Sequence, residues 1–344
     1  MPVYNSPLSS VVSRMVPQNL LKIAISHSNN KDLQRNRFNV NFAYGNREIL
    51  LKYMGLDYSN QIIGVLEHGA SGYWTDHDFQ TPRFINGKRT KYWAWSYETE
   101  LLARSRGFSH VKAIGAPWYY LKKNLIKNSA EKKLASNRIL IMPSHSTGNA
   151  IDAAGLSAKL ARAKLFRKIA GNVPSTVCLH AVDFCDPETY SAFREVGFEV
   201  ICIGNSIQQP IWSSAGNRIR MMRTLHSLML SHSHYLSDGY GTSLHYAIDM
   251  GLSVGIFPKL KEFQILGNDW VGSRDYFKDL DTKESTYLQT HVPKLIDTFS
   301  ESGEYLQFSR DKLGADYIKD PEELLDLMDY RPNVYPCDIG AEPW

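Results

Sequence analysis

Short apolar runs closed by turn residues recur along this chain, and each is followed by a longer stretch whose apolar positions return every three or four residues. The first pattern predicts strands and the second amphipathic helices, so the alternation predicts βα units. In the first part of the chain, residues 20–26, 61–69, 91–96 and 111–117 read as strands, with helices over 44–56 and 98–108. The latter helix stops at Gly107, as a C-cap glycine predicts. In the second part, strands are predicted over 138–144, 175–181, 199–205, 234–239 and 253–258, with helices over 153–171, 187–198, 217–233 and 242–251 between them. These runs are apolar almost throughout rather than alternating, which predicts parallel sheets covered on both faces.

The segment 118–137 is polar, basic and without a strand pattern, and it places a domain boundary at about residue 130. The expected organisation is an N-terminal Rossmann-like domain over 1–130 and a C-terminal Rossmann-like domain over 131–320. A last helix and an irregular tail follow over 321–344, with the helix a candidate to cross back onto the first domain. The fold class is therefore α/β, with two Rossmann-like domains facing each other across a cleft.

With 344 residues, 43% hydrophobic and 22% charged, the chain can bury the cores that two α/β domains require. A formal charge of +4, without aromatics interleaved among Lys and Arg, disfavours nucleic acid as a partner. Its basic residues do cluster, in Lys122, Lys123, Lys127, Lys132, Lys133, Arg138 and again in Lys159, Arg162, Lys164, Arg167, Lys168. These segments read either as solvated faces or as a peripheral contact with an anionic membrane surface. Cys178, Cys185, Cys202 and Cys337 show no metal or redox spacing and read as reduced core residues. No run approaches the roughly 18 apolar residues that span a bilayer, nor does residues 1–21 carry a signal-peptide core, so a cytoplasmic location is expected.

Open α/β sheets bind ligands beyond the carboxyl ends of their strands, so the residues that follow each strand carry the chemistry. Those positions hold Glu67-His68-Gly69, Ser144-His145-Ser146-Thr147-Gly148, His180 and Asp183, Gly204-Asn205-Ser206, and Ser237-Asp238-Gly239. In 237–247, Gly239 and Gly241 allow close approach of a ligand, and Thr242 and Ser243 open a helix whose unpaired amides and dipole favour an anion. A phosphate fits there; the plainer alternative is an ordinary strand-to-helix turn. His145, Ser146 and Thr147 can donate to a phosphate or sugar, although the loop lacks the GK[ST] ending of a Walker A motif. Asp183 is a candidate nucleophile or electrostatic partner for an oxocarbenium-like transition state, whereas Asp186 before Pro187 reads as a helix N-cap. Either Glu67 or His68 is a candidate general base for an acceptor hydroxyl, beside a Tyr73-Trp74 pair suited to stacking on a sugar. The string Asp279-Leu280-Asp281 reads as a solvated loop, so no metal is predicted.

In this order the motifs resemble the GT-B glycosyltransferases that build bacterial surface polysaccharides, over roughly residues 60 to 260. The resemblance lies in the H-G pair of VLEHG, the G-x-P turn of IGAPW, the histidine-bearing loop of ILIMPSHST and the helix start in GTSLHYAIDMGLSVGIFP. CDP-glycerol glycerophosphotransferases, bacterial sialyltransferases and retaining β-Kdo transferases share parts of this pattern. What the resemblance implies is a metal-independent transferase with no resident cofactor, using a nucleotide sugar, CMP-linked by expectation, and a glycan or lipid-linked acceptor. It places His68 and Gly69 on the H-G pair and Gly241, Thr242 and Ser243 on the phosphate turn, to which the strand-end reading adds His145, Ser146, Thr147, Gly204 and Asn205 at the donor. Against the β-Kdo transferases, Asp183 would be the nucleophile and Glu67 a base. His145 is followed by Ser146 where many of these relatives have proline, and the E-x(7)-E signature is missing, which leaves CMP-, CDP- and UDP-linked donors open. A sugar-nucleotide epimerase of the same fold and a non-catalytic assembly partner are the alternative functions.

Overall fold

The protein's structure, a computed structural model, describes residues 41, 44–70, 90–126, 137–144, 150–152, 155–203, 215–257, 263–265 and 274–330. It is a mixed α/β protein whose two larger sheets are parallel throughout. The first contains β1 (Val65–Leu66), β2 (Tyr92–Ala94) and β3 (Val111–Ala113) in that order. Against it lie α1 (Asn46–Tyr53), α2 (Tyr97–Ser105) and α3 (Pro117–Ile126). The α2 start follows from its sequence: Ser96 accepts from the Thr99 amide, with Glu98 and Glu100 in the first turn. The strand predicted over 20–26 and the boundary predicted near residue 130 lie outside the described residues.

The second sheet is built from β4 (Ile139–Ile141), β6 (Ser175–Leu179), β7 (Glu199–Cys202), β8 (His234–Ser237) and β9 (Ser253–Ile256), in the order β7-β6-β4-β8-β9. A small antiparallel pair, β5 (Ala150–Asp152) and β10 (Phe263–Ile265), stands apart from it. Strand succession runs outward from β4 on one side and then returns to β8 on the other, so β4 and β8 flank the switch point of a doubly wound sheet. Both faces are covered, as the continuous apolar runs require. Ile139, Ile141, Val177, Leu179 and Leu236 pack with α4 (Leu156–Ala170) and α6 (Pro187–Glu195), through Ala163, Phe166 and Phe193. Leu140, Cys178, Tyr235 and Val254 belong to a second core with α7 (Ala215–Leu230) and α8 (Thr242–Asp249).

That second core continues into the first part of the chain through Leu50, Trp93, Trp95, Trp118 and Tyr120. Here the sequence reading needs correction, because residues 118–126, taken as linker, belong to helix α3. Trp118 stacks on Tyr246 of α8 with ring centroids 4.3 Å apart. Asp249 at the end of α8 accepts from Trp118 Nε1 at 2.8 Å and Lys122 Nζ at 2.6 Å. A cluster of Trp and Tyr followed at once by lysines hides helical periodicity from a polarity count, since the lysine stems and ring hydroxyls lie at the edge of a buried face.

Two further readings change. Asp279 and Asp281 fall inside helix α9 (Arg274–His291), not in a loop. Of the basic residues in α4, Lys159 pairs with Asp186 and Glu188, Arg162 with Asp238, and Arg167 donates to the Val196 and Gly197 carbonyls. Their partners withdraw them from a membrane-facing patch, leaving Lys164 and Lys168 exposed. Asp186 does cap α6, accepting from the Thr189 amide at 3.2 Å. The chain then runs through α10 (Leu306–Leu313) to α11 (Pro321–Leu327), and on the way the Lys319 amide donates to the Tyr120 hydroxyl at 3.0 Å. Among the described residues no helix is long and apolar enough to cross a membrane.

Candidate functional site

At the switch point, the polar ends of β4 and β8 meet. Asp238, next after β8, accepts from the Ser144 amide at 2.6 Å, joining the two strand ends directly. Arg162 reaches the same place from α4, 2.5 Å from Asp238 Oδ2 and 3.0 Å from the Ser144 carbonyl. Both members of this pair are buried, at 4% and 3% side-chain exposure, so the charges are held by each other and not by water. On the next residues, the Tyr240 amide donates to Glu284 of α9 at 2.6 Å. Gly239 is pressed between these groups: a methyl on its Cα would lie 2.3 Å from Ser144 Oγ and 3.1 Å from Glu284 Oε1.

Beyond this braced turn, α8 begins without a side-chain cap. Gly241 is its N-cap residue, in extended conformation, and a methyl there would meet nothing within 4 Å. The Ser243 hydroxyl is engaged from below by the Tyr235 hydroxyl at 2.7 Å, so its contribution to a ligand is its amide. The amides of Thr242 and Ser243 have no acceptor among the described residues. An uncapped helix start facing open space, beside a rigid turn at a switch point, has the geometry to take one anionic group.

The end of β1 arrives at the same spot. A methyl on Gly69 would lie 2.9 Å from Thr242 Oγ1, so only glycine allows this approach without displacing the threonine. The structure thus brings together two motifs predicted separately, the H-G pair and the G-T-S turn. His68 beside Gly69 is half-buried, whereas Glu67 is 1% exposed. The Glu67 carboxyl accepts from the Trp95 amide at 2.5 Å and from the Thr99 hydroxyl at 3.2 Å, tying β1 to the β2–α2 turn. Asp183 lies at the β6 end, buried in the short helix α5 (Ala181–Cys185), whose N-cap His180 accepts from the Val182 amide. His145, Ser146, Thr147, Gly204 and Asn205 lie outside the described residues.

Glu284, Arg162 and Tyr240 were not among the expected site residues. Arg162 had a legible signal: it shares the helical spacing of Ala163, Phe166 and Ala170, the buried face of α4. Glu284 sits in a charged, weakly patterned helix and left no such trace.

Burial sets the electrostatics. It pushes the Glu67 pKa up to about 8, against hydrogen bonds from Trp95 and Thr99 that pull it down. It lowers His245 to about 3 and His226 to about 4, with nearby Lys312 and Lys122 acting in the same direction. An unfolded chain takes up protons on these histidines near pH 6.5, so their contribution to stability falls as the pH drops below that value. Glu67 acts oppositely, since it stays protonated in the fold to about 8 and ionises near 4.5 when unfolded, so its contribution falls as pH rises between those values. The histidine contribution levels off above pH 6.5, so between about pH 7 and 8 Glu67→Gln should flatten a decline of at most roughly 1 kcal/mol per pH unit. Urea midpoints of wild type and variant at the two pH values check this; parallel curves would show that Glu67 is ionised in the fold.

No protein-family model matches the chain, and no curated protein matches it. Among solved structures, the UDP-GlcNAc 2-epimerase from Neisseria meningitidis bound to UDP-GlcNAc is similar at a TM-score of 0.34 and 12% identity, over 78% of this chain and 70% of that one. At that level the likeness bears no weight for either fold or activity.

Proposed function

We propose that the protein is a nucleotide-sugar-dependent glycosyltransferase with two Rossmann-like halves of GT-B type, holding the donor phosphate at the start of α8. The observation that carries this reading is the meeting of Gly69 with Thr242 at the switch point, which sets a strand end of one sheet against an uncapped helix start of the other. A ligand there touches both sheets, as a donor and acceptor brought together for transfer must. In this reading the Thr242 and Ser243 amides bind the phosphate, with His145, Ser146, Thr147, Gly204 and Asn205 completing the donor site.

Of the two candidate bases, His68 is preferred, because Glu67 has both oxygens engaged by the β2–α2 turn. Asp183 is the candidate nucleophile, or the carboxylate that stabilises positive charge developing at the anomeric carbon. A CMP-linked donor, a hydroxyl of a bacterial surface glycan as acceptor, and work in the cytoplasm complete the proposal. A thermal-shift screen with CMP, UMP and their sugars tests it: cytidine nucleotides should raise the melting temperature more than uridine ones. Indifference to every nucleotide would remove the donor site. Asp183→Ala should keep its fold and lose at least about a hundredfold in transfer rate, a loss of roughly 3 kcal/mol of transition-state stabilisation. Full activity would exclude Asp183 from the chemistry.

A further inference from the structure

We infer that residues 309–314, at the end of α10, brace the end of β1 against the start of α8, with Ser309 and Lys312 as positioning residues for the transfer proposed above, on which the inference rests. Ser309 is fully buried, and its Oγ lies 3.0 Å from His245 Nδ1. The other ring nitrogen of His245 lies 2.6 Å from the Tyr240 hydroxyl. A neutral imidazole has one donor and one acceptor, so both are used in a chain that runs from α10 through α8 to the turn beside the site.

One helical turn later the same segment grips the first sheet. Lys312 pairs with Glu98 in the first turn of α2, and the Leu313 carbonyl accepts from the Ala116 amide at 2.8 Å. Gly314 then closes on the end of β2 with φ of 66°, where a methyl would lie 1.8 Å from the Trp95 carbonyl oxygen. Trp95 is the residue whose amide Glu67 holds, and Glu67 stands two residues before Gly69. The contacts therefore close into a ring: Thr242 to Gly69, Glu67 to Trp95, Trp95 to Gly314, Ser309 to His245, His245 to Tyr240, and through Gly241 back to Thr242. Two of the crossings between the layers, Gly69 on Thr242 and the 309–314 segment, lie on one loop of contacts, so slack at one is felt at the other.

Amide hydrogen exchange on the full chain tests this with Ser309→Ala, Lys312→Met and Lys312→Arg. Exchange should rise about fivefold or more in residues 64–70 and 240–246 together in the first two variants, and stay unchanged in β6 and β7. Lys312→Arg, which keeps the charge, should restore the wild-type pattern. A rise confined to 240–246, a uniform rise across the chain, or no rescue by arginine would each overturn the brace. Binding of CMP and UMP to the wild type is read separately: a joint rise in the variants of a protein whose wild type binds neither nucleotide upholds the brace and removes the donor-site reading, and wild-type nucleotide binding without a joint rise in the variants does the reverse.

Discussion

Arg162→Met is expected to destabilise the fold by about 3–5 kcal/mol, the range for removing one member of a buried ion pair. Methionine fills much of the volume, so the cost is electrostatic and not a cavity. Asp238 would be left 3% exposed with its charge opposed by no guanidinium, while still accepting from the Ser144 amide. The Ser144 carbonyl would lose the Arg162 donor as well. Adding Asp238→Asn removes the orphaned charge and keeps an acceptor for Ser144, so the double variant should be more stable than the single one. Denaturant titration of the three proteins measures this, and a single-variant cost below about 1 kcal/mol would mean that the pair is solvated.

The fold was readable where the hydrophobic pattern was unambiguous. The runs at 138–144, 175–181, 199–205, 234–239 and 253–258 each contain a strand of the five-stranded sheet, because residues buried on both faces leave no alternation to misread. Pattern failed where function of a side chain departs from its class. In α3, Lys122 and Lys123 follow closely on three aromatics that are buried. In α4, Lys159 and Arg162 look like a solvated face but point inward to carboxylates supplied from the α6 start and the β8 end. Such pairs depend on residues far apart in the chain, which no local window joins.

The site was legible in part for the same reason. Strand-end position singled out Gly69, Asp238 and the 241–243 turn one by one, and their convergence came only with the sheet order that sets β4 beside β8. The Glu67 carboxyl shows the opposite case. A carboxylate next to a histidine suggested a base, yet the Trp95 amide and Thr99 hydroxyl, from the neighbouring strand end and helix, take both of its oxygens.

Gly241→Asp separates a phosphate site from a plain helix start. The backbone at Gly241 is extended and the space beside it is open, so an aspartate fits without strain. As an N-cap it should leave stability unchanged or raise it by a few tenths of a kcal/mol, about the margin between Asp and Gly at that position. Its carboxylate would take the amides assigned to the phosphate, and two like charges about 4 Å apart repel by roughly 4 kcal/mol near a protein surface. Calorimetric titration of CMP, and of a CMP-linked sugar, into wild type, Gly241→Ala and Gly241→Asp is the direct test. Binding by the first two and at least about a hundredfold weaker binding by the third is the expected result. Equal binding by all three would contradict a donor phosphate at the start of α8.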